Sequence, residues 1–413
     1  MKYEFKVGIS KDEYDKFVKS YPSTSFMQTS SWALVKSSWL HDFVGMYRDK
    51  TLVGTALVLK RRLFLNKSLF YVPRGFVIDY YDEELLTTFI SELKAYAKKN
   101  NAITIKIDPF ICFNEDNIQN IKKDKGIEIR KPFMKDTNYI VKRLEENGFK
   151  HGGYKKEVNA YIQPRYTMAI ALKNKDGKFL SKEELRMSFP KNTRNYIGTY
   201  QDERGVEFSY STNPDDVKDL ISVLKCTEKR QHIALRNEAY FKKVMELFPS
   251  NAVLFFARVD VDKYVKFLKK DMTEHENKKE FCEKQIKEAL DIKDKYGNKP
   301  LAGATIVMMP TCNSGIKVAS FLYAGTNTEI LPSLKITNGL MYYRLCYCLE
   351  RNCDYCDLGG VDGSLNDHLS TFKSKFNPEV LELVGEFDLV VSKFWFRVFN
   401  LAMRTLRFIR SKR

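Results

Sequence analysis

Cys356-Asp-Leu-Gly-Gly-Val-Asp-Gly-Ser364, followed by Thr371-Phe-Lys-Ser-Lys-Phe376, is the stretch on which the chain's architecture turns. Ahead of it, Leu340 to Arg351 carries apolar and aromatic residues at helical spacing, and Asp354 to Leu358 reads as a short strand. Gly359, Gly360 and Gly363 crowd the strand's end, where residues without a Cβ let the backbone take positive φ or approach a ligand. Phe372 and Phe376 stand four apart, so one helical turn buries both and sets Lys373 to one side. A strand end, a glycine loop and an anchored ammonium suit an anionic ligand or a developing oxyanion. The same residues also read as a buried strand, a turn and a solvated lysine.

A helix leading into a strand and a turn recurs along the chain, which predicts a mixed α/β fold. At 413 residues the chain exceeds one ordinary domain, so two cores are expected. Apolar content of 44% and charged content of 29% fit a folded protein and exclude a disordered one. A net charge of +17 points to a polyanion: nucleic acid, anionic lipid or a phosphorylated substrate. Colloidal charge alone is the plainer alternative. Met1 to Tyr14 has no secretory leader and no apolar run is long enough to span a bilayer, so the expected location is cytoplasmic. Eight cysteines without framework spacing agree with a reducing compartment. Cys353-x-x-Cys356 has zinc-like spacing, yet no second pair stands nearby. Burial as small apolar residues is the expectation for Cys346, Cys348, Cys353 and Cys356, with no metal and no cofactor.

From the N-terminus, Ser30 or Ser31 is placed to cap a helix that buries Trp32 and Val35 and brings Lys36 to its edge. Leu52 to Leu59 and Leu69 to Val72 are strand-like, and Tyr71-Val-Pro-Arg-Gly75 is a turn stiffened by proline and released by glycine. Asp82 to Lys99 has helical periodicity. The strand Ile103 to Ile107 runs into Asp108-Pro109, which stops the ladder and projects Asp108 from a strand end. Lys122 to Lys135 is a charged connection of low signal, and Leu144 to Gly153 repeats a helix-to-glycine stop. A basic helix is expected over Leu185 to Tyr200, offering Lys191 and Arg194 to phosphates or merely to solvent. Arg236 and Tyr240 are one helical turn apart. Asp262 to Asn298, set between the strands Val253 to Val261 and Ala302 to Met309, reads as a short antiparallel helical arm. Its apolar positions Leu268, Phe281, Ile286 and Leu290 are too sparse for a core of their own. Tyr323 lies on the strand Val318 to Gly325.

Gly385-Glu-Phe-Asp388 is read as the opening of a last helix. On it Lys393, Arg397, Arg404 and Arg407 take one side, and Trp395, Val398, Ala402, Leu406 and Ile409 the other. Such a basic amphipathic helix suits an anionic membrane surface or docking on the first domain. Docking for the first turns and lipid contact for the end is the expectation.

These motifs, in this order, resemble the Fem family of peptidoglycan aminoacyltransferases. The resemblance rests on Gln28-x-x-x-Trp32-x-x-x-Lys36, Tyr71-x-Pro-Arg-Gly75, Asp108-Pro109, Arg236-x-x-x-Tyr240, Asp357-Leu-Gly-Gly-Val361 and Phe372-Lys-x-x-Phe376, over roughly Gln28 to Asp388. The family has glycine where this chain has Asn377, the next best residue for αL. The resemblance implies two tandem GNAT-like domains, residues 1–155 and 156–384, with the arm at 262–299 inserted in the second and 385–413 packing back on the first. It implies transfer of an amino acid of the Gly/Ala/Ser class from aminoacyl-tRNA to the stem-peptide lysine of lipid II or UDP-MurNAc-pentapeptide, building the interpeptide bridge. It also implies a monomer working at the inner face of a bacterial membrane.

By the same resemblance Lys36 and Arg236 hold the acceptor's diphosphate, and Tyr240 and Tyr323 line its peptide. Asp108 receives or orients the amine proton, while Lys373, with its rotamer fixed by Phe372, steadies the oxyanion or the tRNA terminus. Lys191 and Arg194 meet nucleic acid. Two rival functions remain: an N-acyltransferase of the same fold that uses acyl-coenzyme A, and a non-catalytic RNA- or membrane-binding protein. The usual phosphate-loop, nucleophile-elbow and zinc-protease signatures are absent, as is the acetyltransferase coenzyme A loop.

Overall fold

The computed structural model describes residues 2–22, 24–123, 137–160, 162–197, 202–313 and 315–411, with side chains of the last helix described through Met403 and at Thr405. The first half contributes strands β1 (Tyr3–Val7), β2 (Leu40–Arg48), β3 (Thr51–Arg62), β4 (Ser68–Val72), β5 (Val77–Ile78), β6 (Ala102–Ile107), β7 (Cys112–Asn117) and β8 (Phe149–His151). The second contributes β9 (Tyr166–Ala171), β10 (Val206–Ser211), β11 (Ala252–Val259), β12 (Leu301–Met308), β13 (Val318–Thr326), β14 (Tyr355–Val361), β15 (Glu379–Leu383) and β16 (Phe387–Val390). They form two mixed sheets. One runs β1-β2-β3-β4-β6-β16-β8 with β5 on β3; the other runs β10-β11-β12-β13-β14-β9-β15-β7.

Each sheet borrows a strand from the other half. β16 inserts antiparallel between β6 and β8, with Phe387 opposite both Ile107 and His151. β7 adds to β15 at the edge of the second sheet. The chain therefore crosses between the sheets more than once. The helix expected from Gly385 begins instead at Lys393, because Phe387 and Leu389 alternate with Asp388 and Val390 and bury themselves between two strands. Lys106 fastens the insertion, its ammonium held by Glu386 and, at 2.9 Å, by Asp388.

Local chemistry sets most helix ends. Asp82 caps Glu83–Lys99 through the amide of Leu85, and Asn101 ends that run in αL at φ 54°. The cap of Ser30–Val35 is Thr29, not Ser30 or Ser31: Thr29 accepts from the Trp32 amide, while Ser30 gives its hydroxyl to Asp15. The basic helix expected over Leu185 to Tyr200 is broken by Pro190 into Lys182–Met187 and Lys191–Arg194, and 198–201 lie outside the described residues. Most of the Lys122 to Lys135 connection lies outside them as well.

The arm is a hairpin of Val261–Glu274 and Lys279–Tyr296. It is seamed by Tyr264, Leu268, Cys282, Ala289 and Ile292, whereas Phe281 and Leu290 face outward. Gln285 anchors it, accepting from Tyr264 at 3.2 Å and from Ser333 at 2.6 Å. The four clustered cysteines are buried in the second core. A third apolar cluster joins the halves, bringing Phe26, Trp32 and Leu57 against Phe241, Leu254 and Ile306.

Candidate functional site

The joint between the halves encloses a cavity of about 540 Å³ and an adjoining one of about 390 Å³, and Arg74 and Asp357 line both. The larger opens where β13 and β14 part. Their parallel pairing covers only Val318–Ser320 against Tyr355–Asp357, and beyond it Leu322 and Tyr323 face Gly359 and Gly360 across the gap. Gly359 and Gly360, expected just past a strand end, lie within β14 at a register shift against β9. Gly359 takes φ 85°, and its amide donates to Asp357 at 2.9 Å. Only glycine fits at Gly360, because a Cβ there would lie 2.3 and 2.4 Å from ring atoms of Pro164.

Lys373 lies behind this bulge. The helix His368–Ser374 is capped by Asp367, and the Phe372 and Phe376 rings meet edge-on at 5.6 Å. Lys373 is buried, and its ammonium donates to the carbonyls of Gly359 at 2.8 Å and Gly360 at 3.0 Å. Burial pushes it down to about 8, against the opposing charges of Asp357 and Asp367. Asn377 takes αL at φ 51°. Thr193 bonds the carbonyl of Lys375 at 2.6 Å, which brings the segment with exposed Lys191 and half-buried Arg194 beside the Lys373 helix. Arg194 caps the carbonyl of Met187.

Asp108 lies behind Arg74, which also lines this cavity. It accepts from the Tyr71 hydroxyl at 2.8 Å and from the Arg74 amide at 2.6 Å, and is buried. Burial pushes its carboxyl up to about 6, with Arg74 and Tyr71 opposing. Asp108 and Lys373 each bond a residue that lines the larger cavity, Asp108 the Arg74 amide and Lys373 the carbonyls of Gly359 and Gly360. The Tyr71-Val-Pro-Arg-Gly75 turn holds both Arg74 (φ 60°) and Gly75 (φ 82°) left-handed, and buried Gln28 grips the Pro73 carbonyl at 2.6 Å.

The remaining expected residues meet where the helix Ser30–Val35 packs on Glu238–Leu247. Lys36 at the end of the first has its ammonium 4.5 Å from the Trp32 ring centre and 5.8 Å from that of Tyr240. Arg236, just before the Asn237 cap of the second, lies 5.4 Å from the same Tyr240 ring. Burial and then the neighbouring Arg236 push Lys36 down to about 8. Among the described residues neither cation has a carboxylate partner, an arrangement that favours a bound dianion. Phe241 packs edge-on to both Tyr240 and Tyr323, and Tyr323 carries the line into the cavity wall.

Asp357 and Arg74 are the residues that sequence reasoning quoted but did not assign. Asp357 accepts from Thr167 and is the acidic side chain shared by both cavities. Its signal was an ionisable residue inside an otherwise apolar strand.

Comparison with known proteins then gives one consistent answer. The model of the FemAB family matches residues 9–282 and 269–404. A protein of Staphylococcus haemolyticus named lipid II:glycine glycyltransferase is 27% identical over 94% of this chain and 93% of its own length. A Staphylococcus aureus protein of the same name gives the same identity and coverage. The crystal structure of FemX superposes with a TM-score of 0.73 at 22% identity, covering 96% of this chain and 99% of that one. A tandem GNAT protein of clavulanic acid biosynthesis reaches 0.50 at 8% identity, covering 95% and 99%.

Proposed function

This chain belongs to the FemAB family and is an aminoacyltransferase with a fold like that of tandem GNAT proteins, and from that premise we propose that it adds glycine from glycyl-tRNA to the stem peptide of a lipid-linked peptidoglycan precursor. The relatives' printed names support glycine and the lipid-linked acceptor. The observation that carries the reading is the pair Lys36 and Arg236, contributed by different halves and set over Tyr240, with no carboxylate partner among the described residues. A planar guanidinium beside an ammonium matches a diphosphate. From there the peptide runs past Tyr240 and Tyr323 into the larger cavity.

In this reading the acceptor amine attacks the ester carbonyl of the charged tRNA. A carbon–nitrogen bond forms, the ester carbon–oxygen bond breaks, and the amine's proton ends on the departing ribose oxygen. An ester is already activated, so holding the amine in line and stabilising the oxyanion supply the rate. Lys373, with Phe372 packed beside it, puts positive charge behind Gly359 and Gly360 where that oxyanion develops. Asp108 orients the wall that carries Arg74, and Lys191 and Arg194 meet the tRNA backbone.

The test is incubation with mixed charged tRNAs, acyl-coenzyme A and both precursor forms, followed by the mass of the product. Gain of one glycine on the lipid-linked precursor, dependent on tRNA, is expected; product formed only with an acyl-coenzyme A overturns the reading. Lys36→Met and Arg236→Met are each expected to raise the acceptor KM roughly 10- to 100-fold with kcat less affected. Because Lys36 loses its proton near 8, the wild-type acceptor KM should climb as pH rises through that value, and this limb should be missing from Lys36→Met.

A further inference from the structure

The turn joining β3 to β4 is Phe64-Leu-Asn-Lys67, closed by Leu63 donating to the Lys67 carbonyl at 2.8 Å and Lys67 to the Phe64 carbonyl at 3.1 Å. Leu65 and Asn66 both have positive φ, 50° and 52°. That geometry favours asparagine or glycine, and an apolar leucine is among the residues least suited to it. Leu65 is nevertheless there, 71% exposed, beside Phe64 at 45%. The first turns of the helix Lys393–Ser411 come against this tip. The Trp395 ring lies 5.9 Å from that of Phe64, the Lys67 ammonium stands 5.2 Å over Trp395, and Phe394 is 67% exposed. Lys67 stands at the tip, Arg61 and Arg62 end the strand that leads into it, and Lys393 and Arg397 lie on the same helix as Trp395; among the described residues none of the five has a carboxylate partner, whereas Lys60 in the same strand is paired with Asp42.

We propose that the Phe64–Lys67 turn and the start of the C-terminal helix together form a membrane-contact face, inserting Leu65, Phe64 and Phe394 among the headgroups of an anionic bilayer while the cations meet the lipid phosphates. Aromatic and leucine tips beside unpaired cations match an interface that is apolar inside and negative at its surface. A polyanion such as RNA would select the cations but not the exposed leucine. The face also leads to the diphosphate site. Arg61 lies 5.8 Å from the Trp39 ring, and the Trp39 amide donates to the Lys36 carbonyl at 2.8 Å. The inference goes beyond the transfer reaction, since the face binds lipid whether or not the site transfers glycine.

The experiment is co-sedimentation of the full chain with vesicles of phosphatidylglycerol and phosphatidylcholine, against phosphatidylcholine alone. Preferential binding to the anionic vesicles is expected, weakened about tenfold or more in Leu65→Asn by loss of a buried leucine side chain. Asparagine suits the turn, so this variant should unfold at the same or a higher temperature, which separates lost contact from lost fold. Transfer to the acceptor in detergent micelles should be equal in the two proteins, while transfer on vesicles falls in the variant. Equal vesicle binding by the two proteins, or a Leu65 effect traced to self-association by light scattering, overturns the proposal. The micelle assay reports on the reaction separately.

Discussion

Asp108 is held by two donors yet pays for its burial, and its proton affinity records the balance. Desolvation raises its carboxyl to about 6 from an unfolded value near 4, against the pull of Arg74 and Tyr71. A carboxyl raised in the folded state makes the fold more stable on acidification. The gain is absent above about pH 6 and complete below about pH 4. Two pH units in a buried group correspond to roughly 2–3 kcal/mol. An asparagine in its place never ionises: its one oxygen accepts from the Arg74 amide, and its NH2 faces the Tyr71 hydroxyl, which can rotate to accept. Thermal unfolding of Asp108→Asn should therefore lack the part of the wild-type's stabilisation gained between pH 6.5 and 4.5, and parallel pH profiles would remove Asp108 as its source. The surroundings of this residue were only half legible. Asp108-Pro109 at a strand end singled out the residue, but nothing local showed that its oxygens would be occupied by the Arg74 amide and Tyr71, more than thirty residues away.

At the scale of elements, β14 lines the cavity because its glycines let it bulge where β13 leaves it. The Gly360 position leaves no room: a methyl group would press on the rigid Pro164 ring, and neither neighbour is the loose end of a long side chain. Gly360→Ala should cost roughly 1–3 kcal/mol and reduce transfer together with stability, since the same backbone lines the cavity and holds Lys373. Adding Pro164→Gly, which removes both clashing atoms, should recover part of the loss; no recovery would place the damage elsewhere. The glycine cluster and the spacing of Phe372 and Phe376 were legible because they are local. The helix break at Pro190 was legible too but was overridden by the basic pattern around it. What lay out of reach was β16: Phe387–Val390 is four residues long, and its strand character comes from β6 and β8, not from its own periodicity.

For the whole molecule, the exchange of β7 and β16 means that neither sheet is complete without the other half, and the cavity lies at that joint. Lys106, Glu386 and Asp388 are where the exchange is fastened. Burial alone would lower the lysine's proton affinity, but Asp388 and Glu386 raise it further than burial lowers it. Glu386 also accepts from the Ile162 amide at 3.0 Å, so the same carboxylate ties down the crossing into the second half. Lys106→Met leaves two largely buried carboxylates without their cation, a change that costs about 3–5 kcal/mol where a buried pair is broken. The expected result is a lower unfolding temperature and faster amide exchange in both β16 and β8, with the edge strand β1 exchanging as before. Lys106→Met combined with Glu386→Gln and Asp388→Asn removes the stranded charges and should regain most of the loss. If the single variant melts with the wild type, the strand is held by its ladder and by Phe387 and Leu389 alone, and the ion triad contributes only to pairing register.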